Sequence, residues 1–395
     1  RRASGRPRER VGVVTAVEPD PIGFALPWID EADVDNVARV LRSRWLSTGS
    51  ECEQLEREME ELLDVPHVVA VSSCTAALEI ALDALHLAPG SRVGVPTWTF
   101  AASASAVVHA GGVPVLLDID PVTLNLAPEA VEAALAEGLD GLVVVHFAGV
   151  PVDRSILDMA AAAGVPVVED AAHALGSRDH RGLIRGAETA GACFSFYATK
   201  NLTSGEGGAL ATDDAELASY ARSHRLHGMS RDAWRRYQVG ADPTYDVIEP
   251  GLKANLPDLL AALARSQLAK FAFMQARRRE IVTRYHRLLQ GVPSVRMVPG
   301  EPDQRSADHL AVIILPEGVE RSGVLRAFAD ARIGTSIHFR PLHTFTWFAA
   351  NAPLGPTGTV VADELAPRAM SLPLHPGLSD ADVDRVVEVL AGSLP

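Results

Sequence analysis

The chain has 395 residues, with 36 Lys plus Arg against 50 Asp plus Glu, a formal charge of −14 and 47% hydrophobic residues. A chain of this size can bury a large core without disulfide or metal staples, and its length suggests roughly two or three domains. Net acidity argues against nonspecific nucleic-acid binding, which depends on clustered cations releasing counterions.

Residues 1–10, RRASGRPRER, carry five arginines and no apolar pattern. Residues 1–20 are therefore expected to form a flexible tail. The run VGVVTAVEPDP is too short for a signal-peptide core and is broken by acid and proline, so export is not expected. Cys52, Cys74 and Cys193 form no C-x-x-C pair, which suggests neither a disulfide framework nor a cysteine metal site and fits a reducing cytoplasm.

Apolar strand-like runs follow at 67–73, 91–96, 113–119, 141–147, 165–171, 192–197 and 207–213. Helical patterns lie between several of them, as in AALEIALDAL (76–85) and RSILDMAAAAG (154–164). Near-continuous apolar strands separated by helices predict a mostly parallel sheet covered on both faces, an α/β fold. Val93 to Leu117 has no Asp, Glu, Lys or Arg, but its glycines and prolines divide it into strand, helix and strand, so no membrane span is predicted. From Asp258 to Leu289 the pattern reads as one long helix. A strand at 309–315, a helix at 323–331, the segment IHFRPLH (337–343) and a final helix over 380–392 complete a smaller α+β unit. The expected division is a large domain over 21–270 and a small one over 271–395.

Several familiar chemistries are missing from the sequence. There is no G-x-G-x-x-G, no lysine follows a glycine as a P-loop requires, and H-E-x-x-H and G-x-S-x-G do not occur. Three segments carry chemistry instead. In VVEDAAHALGS (167–177) an apolar strand ends in acid, and Asp170 lies where open α/β sheets bind ligands, although a capping acid would look the same. In FSFYATKNLTSGEGGAL (194–210) Lys200 follows another apolar strand. Lysine is rare here, occurring only at Lys200, Lys253 and Lys270, and unlike arginine it can lose its proton and form a Schiff base. In VSSCTAALEIALDAL (71–85) Ser72, Ser73 and Thr75 precede a helix, whose start would favour a phosphate, or would simply be capped. Amine, carboxylate and anion cradle are the three requirements of pyridoxal phosphate.

The segments SSCTAAL, PTWTFAASASAVVHAGGVPVLLDID, VVEDAAHALGS and FSFYATKNLTSGEGGAL resemble, in this order, those of the DegT/DnrJ/EryC1/StrS family of nucleotide-sugar aminotransferases. The resemblance runs from about Pro21 to the C-terminus. It implies a fold-type-I pyridoxal phosphate transferase, with Lys200 as the cofactor-bearing lysine and proton shuttle and Asp170 as the partner of the ring nitrogen. By the same resemblance Thr75, Ala76 and Ser195 hold the phosphate, and Phe100, or alternatively Trp98, stacks on the ring. His173 lies beside the cofactor, and Asn255 reaches the cofactor of a neighbouring subunit, which implies a homodimer with shared sites. Retention of Lys200 disfavours the family's dehydratase branch, which carries histidine there.

The segments RLHGMSRDAWRRY (225–237), GLKANLPDLLAAL and SIHFRPLH (336–343) resemble the group that acts on 4-keto sugars. His338, Arg340 and His343 would then line the sugar or nucleotide side, with Arg340 suited to diphosphate oxygens; surface loop polarity is the other reading of these three. Expected substrates are glutamate and a nucleotide-linked 4-keto-6-deoxyhexose, with dTDP as carrier. The arginine-rich composition would suit a pathway to a decorated secondary metabolite such as an antibiotic. A 3-keto-sugar enzyme and a non-catalytic regulator on the same fold are the alternatives, and the intact Lys200 and Asp170 pair argues against the second.

Overall fold

A computed structural model describes residues 20–180, 182–230, 244–292 and 294–395. All but the last residue of the expected tail, and residues 231–237 of the segment RLHGMSRDAWRRY, lie outside the described residues.

Each predicted strand of the first two thirds is present. The strands are β1 His67–Val71, β2 Arg92–Pro96, β3 Val113–Leu117, β4 Gly141–Val145 and β5 Val167–Asp170. A small hairpin of β6 Arg178–Asp179 and β7 Gly182–Leu183 leads to β8 Gly191–Ser195 and β9 Gly208–Thr212. Seven of these form one sheet in the order β1-β9-β8-β5-β4-β2-β3. The five strands from β8 to β3 are mutually parallel, and β9 runs antiparallel to both β8 and β1. The carboxyl ends of β1, β4, β5 and β8 therefore share one edge.

The helices of this half are α1 Glu31–Ser43, α2 Ser50–Leu63, α3 Cys74–Asp83, α4 Ala101–His109, α5 Pro128–Glu137, α6 Arg154–Ala163 and α7 Ala215–His224. They are joined by α8 Asp258–Ala269. Alternate residues of β1 explain why its sequence is apolar throughout. Val69 and Val71 pack into the cluster of α3 residues Leu78 and Ile80, whereas Val68 and Ala70 pack with Leu55 and Met59 of α2 and Ala261 and Ala264 of α8. A strand buried on both faces has no polar side to show. On the far side of the sheet Val115 and Leu117 meet Val131 of α5 and Ile156 of α6.

The helical pattern from 258 to 289 is two helices rather than one. It breaks at Lys270 (φ −111°, ψ 8°), after which α9 runs over Phe271–Leu289. The cause is tertiary, because Lys270 Nζ reaches the N-cap of α1 at Asp30 (2.8 Å) and the buried Asp33 (2.5 Å).

The second sheet consists of β10 Arg296–Val298, β11 Ala311–Ile314 and β12 Ala369–Leu372, all antiparallel. With it come α10 Arg321–Asp330, α11 Thr346–Asn351, α12 Val360–Leu365 and α13 Asp380–Gly392. One face packs Ile313 and Leu372 against Tyr285, Phe328 and Val386. The other packs Val312 and Ile314 against Trp98, Ile119 and Phe147, which belong to the loops at the carboxyl edge of the large sheet. Two sheets thus close over one strand edge. Among the described residues no helix is long and apolar enough to cross a membrane.

Candidate active site

A cavity of about 560 Å³ opens at that edge. Thr75, Phe100, Asp170, His173, Ser195, Lys200 and His338, all anticipated from the sequence, line it. Topology brings them together: Asp170 ends β5, Ser195 ends β8, and Thr75 opens α3 directly after β1.

Asp170 is held from several sides. Ser103 Oγ donates to Oδ2 at 2.7 Å, the Ala172 amide donates to Oδ1 at 3.1 Å, and Cys74 Sγ lies 3.8 Å from Oδ1. The Cys74 thiol donates to the Cys193 carbonyl at 3.2 Å. Burial pushes both thiols well above their ordinary range, with the Asp170 charge adding to the effect, so neither supplies a thiolate.

Lys200 Nζ makes no hydrogen bond among the described residues, although its side chain lies inside the cavity wall. Burial pulls its pKa down to about 8, partly opposed by Cys74 and Asp170. Near physiological pH a minority of the amine is therefore neutral, far more than in a free lysine.

The start of α3 presents a free backbone amide to the cavity side. Ser73 caps it by accepting from the Ala76 amide at 3.1 Å, which leaves the Thr75 amide without an intrahelical acceptor. Ala76 itself is one residue removed from the cavity lining, its amide already used. The helix start lies close to β9 because position 208 is glycine: a Cβ there would meet Cys74 N and Phe194 O at 2.6 Å.

Phe100 is 62% exposed and faces Phe339 across 6.1 Å between ring centroids. Trp98 is fully buried, donates to the His338 carbonyl at 3.2 Å and does not line the cavity. Burial pushes His338 down to about 4, and drives His173 and His309 well below the ordinary histidine range. Their rings stay neutral.

Besides Ala76 and the alternate Trp98, three anticipated residues lie outside the lining. Asn255 is buried behind the start of α3, its Nδ2 donating to Thr48 Oγ1 at 2.6 Å and its Oδ1 accepting from Lys253. Arg340 folds onto the Phe345 ring at 4.6 Å and donates to Thr344 Oγ1 at 2.8 Å. His343 is bonded at both ring nitrogens, to Thr97 (2.7 Å) and Asp363 (2.9 Å), and so braces α12. Ser103, His309 and Phe339 contribute to the site without having been singled out by sequence. Ser103 lies within a run of small helical residues and His309 at the start of an apolar strand, so neither carries a local signal.

The arrangement fits pyridoxal phosphate. It offers an unengaged primary amine, a carboxylate anchored at both oxygens, and a helix start with an unused amide, all on one cavity. No group of His, Cys, Asp and Glu suited to a metal ion occurs among the described residues.

Comparison with known proteins agrees. Residues 27–391 match the model of the DegT/DnrJ/EryC1/StrS aminotransferase family. The spore coat polysaccharide biosynthesis protein SpsC of Bacillus subtilis is 41% identical over 372 residues, covering 93% of this chain and 95% of SpsC. Spr1654 of Streptococcus pneumoniae, solved in PLP- and PMP-forms, is 30% identical; for the PLP-form the TM-score is 0.85, with 95% of this chain and 100% of that one covered. PseC of Helicobacter pylori, an aminotransferase involved in the biosynthesis of pseudoaminic acid, superimposes with a TM-score of 0.87 at 25% identity, over 95% and 99% of the two chains.

Proposed function

The chain belongs to the DegT/DnrJ/EryC1/StrS aminotransferase family and is a pyridoxal-phosphate-dependent sugar aminotransferase; from that premise we propose that it moves an amino group from glutamate to the 4-ketone of a nucleotide-linked 6-deoxyhexose, with dTDP as the carrier. The observation that supports it most directly is the convergence of Lys200 and Asp170 on one cavity whose walls also carry the hydroxyls of Ser73, Thr75, Thr99, Ser195, Thr199 and Ser336. Such a lining suits a polyhydroxylated substrate.

When bound, the cofactor supplies an aldehyde that primary amines condense with and a ring that withdraws electrons from the bonds of the attached carbon. In this reading Lys200 contributes its neutral amine and later carries a proton to or from the substrate carbon. Asp170, fixed by Ser103 and Ala172, holds a proton at the ring nitrogen. The Thr75 amide and Ser195 orient the phosphate, Phe100 covers a ring face, and His338 meets the sugar. Arg340 and His343 lie outside the cavity lining; if Arg340 serves the diphosphate it must first leave Thr344.

Asn255 lies outside the lining of its own cavity, beside the exposed Lys253. That placement suits service to the cavity of a second copy, and a homodimer with shared sites is part of the proposal. The likeness to SpsC favours a surface polysaccharide as the destination of the aminosugar over a secondary metabolite.

The test is a panel of dTDP-, UDP- and GDP-linked 4-keto-6-deoxyhexoses with glutamate, the product's amine located by NMR. An amine at C4 with dTDP preferred is expected. An amine at C3, or turnover with none of the panel, overturns the substrate assignment.

A further inference from the structure

His173 and His309 stand side by side in the cavity wall with ring centroids 4.4 Å apart, and a single residue between β4 and α6 positions both. Ala148, in left-handed backbone (φ 56°, ψ 6°), gives its amide to His173 Nδ1 at 3.2 Å, and its carbonyl accepts from the His309 amide at 3.0 Å. The protons on the two rings follow from their neighbours. Because His173 Nδ1 accepts, the proton of the neutral ring resides on Nε2. His309 Nδ1 faces Asn201 Oδ1 at 2.9 Å. That atom is the oxygen, because Asn201 Nδ2 donates to the Ala307 carbonyl (2.7 Å) and Gln275 Oε1 (3.0 Å). His309 Nδ1 is therefore the donor, and its Nε2 is bare.

Neither Nε2 atom has a partner among the described residues. His224, His286 and His375 each hold an unpaired ring nitrogen sealed inside the protein, whereas the Nε2 atoms of His173 and His309 are not sealed, since both rings line the cavity. The site thus shows its ligand one N–H and one bare nitrogen from adjacent rings. A hydroxyl can satisfy both at once, accepting from the first and donating to the second. A ketone or ether oxygen can satisfy only the first.

We propose that His309 Nε2 accepts a hydrogen bond from a hydroxyl of the bound ligand, making His309 a binding residue of the site rather than a core histidine. The inference rests on the aminotransferase reading only for the two possible sources of that hydroxyl, the cofactor ring and the sugar.

Two substitutions separate binding from structure. His309→Asn retains an amide that can donate to Asn201 and removes the acceptor at the Nε2 position. His309→Gln extends an oxygen to about that position. We expect His309→Asn to weaken one ligand roughly 3- to 10-fold, the range for loss of one neutral hydrogen bond, and His309→Gln to recover part of it. Spectrophotometric titration of the apoenzyme with pyridoxal phosphate reads the cofactor source. A raised sugar KM at unchanged kcat, with cofactor affinity intact, reads the sugar source. Either result supports the proposal, and wild-type values of both in His309→Asn overturn it.

A second measurement needs no variant. With nitrogen-labelled histidine in the wild-type holoenzyme, NMR should show His309 Nε2 unprotonated, and a proton on that atom overturns the proposal even if a variant fails to fold. A wild-type protein that binds no pyridoxal phosphate would instead count against the aminotransferase reading.

Discussion

Ser103 Oγ lies 2.7 Å from Asp170 Oδ2, so a helix of small residues fixes one oxygen of the carboxylate that ends β5. The same hydroxyl is 2.8 Å from Thr99 Oγ1. This small network orients the carboxylate before any ligand arrives. Asp170→Asn should still bind pyridoxal phosphate but lose roughly 100-fold or more in kcat, because the amide cannot hold the ring nitrogen's proton. Ser103→Ala should show a milder loss, about tenfold, with cofactor affinity little changed, and Ser103→Thr should recover part of it. Steady-state kinetics with cofactor titration checks both; equal kcat in Asp170→Asn and wild type would contradict the role of the carboxylate.

The lowered pKa of Lys200 gives two pH-dependent expectations. Capture of cofactor by the apoenzyme needs the neutral amine, so its rate, followed by the visible absorbance of the bound cofactor, should rise with pH and level off above a midpoint of about 8. Lys200→Ala should show no such band.

Stability should move in the same direction. Between about 8 and 10.5 the unfolded lysine binds more proton than the folded one, so the apoprotein gains stability as pH rises through that window. Below about 8 the full cost of the buried charge is present, up to about 3 kcal/mol at 1.36 kcal/mol per pH unit and less where cavity water screens it. Urea denaturation of apo Lys200→Met against wild type should therefore show a stabilised variant at pH 7 whose advantage shrinks toward pH 10.

Gly208→Ala tests the closeness of β9 to α3. Its Cβ would meet backbone atoms at 2.6 Å on two sides, where nothing can swing away. Displacing the helix start should weaken pyridoxal phosphate binding about tenfold and cost roughly 1–3 kcal/mol of stability. An unchanged cofactor titration would show that the helix start does not hold the phosphate.

Asp258 supplies the cap that α2 lacks. Gly49 precedes the helix without a side chain, and the Asp258 carboxylate accepts from the amides of Gly49 (2.7 Å), Cys52 (3.1 Å) and Glu51 (3.3 Å). Asp258→Ala should lower stability by about 1–2 kcal/mol in urea denaturation and leave cofactor binding intact.

The strands were legible because burial on both faces leaves an unbroken apolar run, and Asp170, Lys200 and Thr75 were legible because polar residues end such runs. The break at Lys270 was not, since the apolar spacing continues across it and its cause, the carboxylates of Asp30 and Asp33, is more than 230 residues away in sequence. His309 was hidden for a related reason. Its place in the cavity depends on β11 being laid over the large sheet, which no local spacing records. His343 shows the converse, a residue type suited to a ligand whose two ring nitrogens are both bonded within the chain.

The peptide corner at Ala148 holds His173 by its ring and His309 by its main-chain amide, while Asn201 sets the second ring. Anything that tilts that corner moves the His173 ring and the main chain that carries His309 together. A replacement that changes which ligand one ring greets will be felt by its neighbour as well.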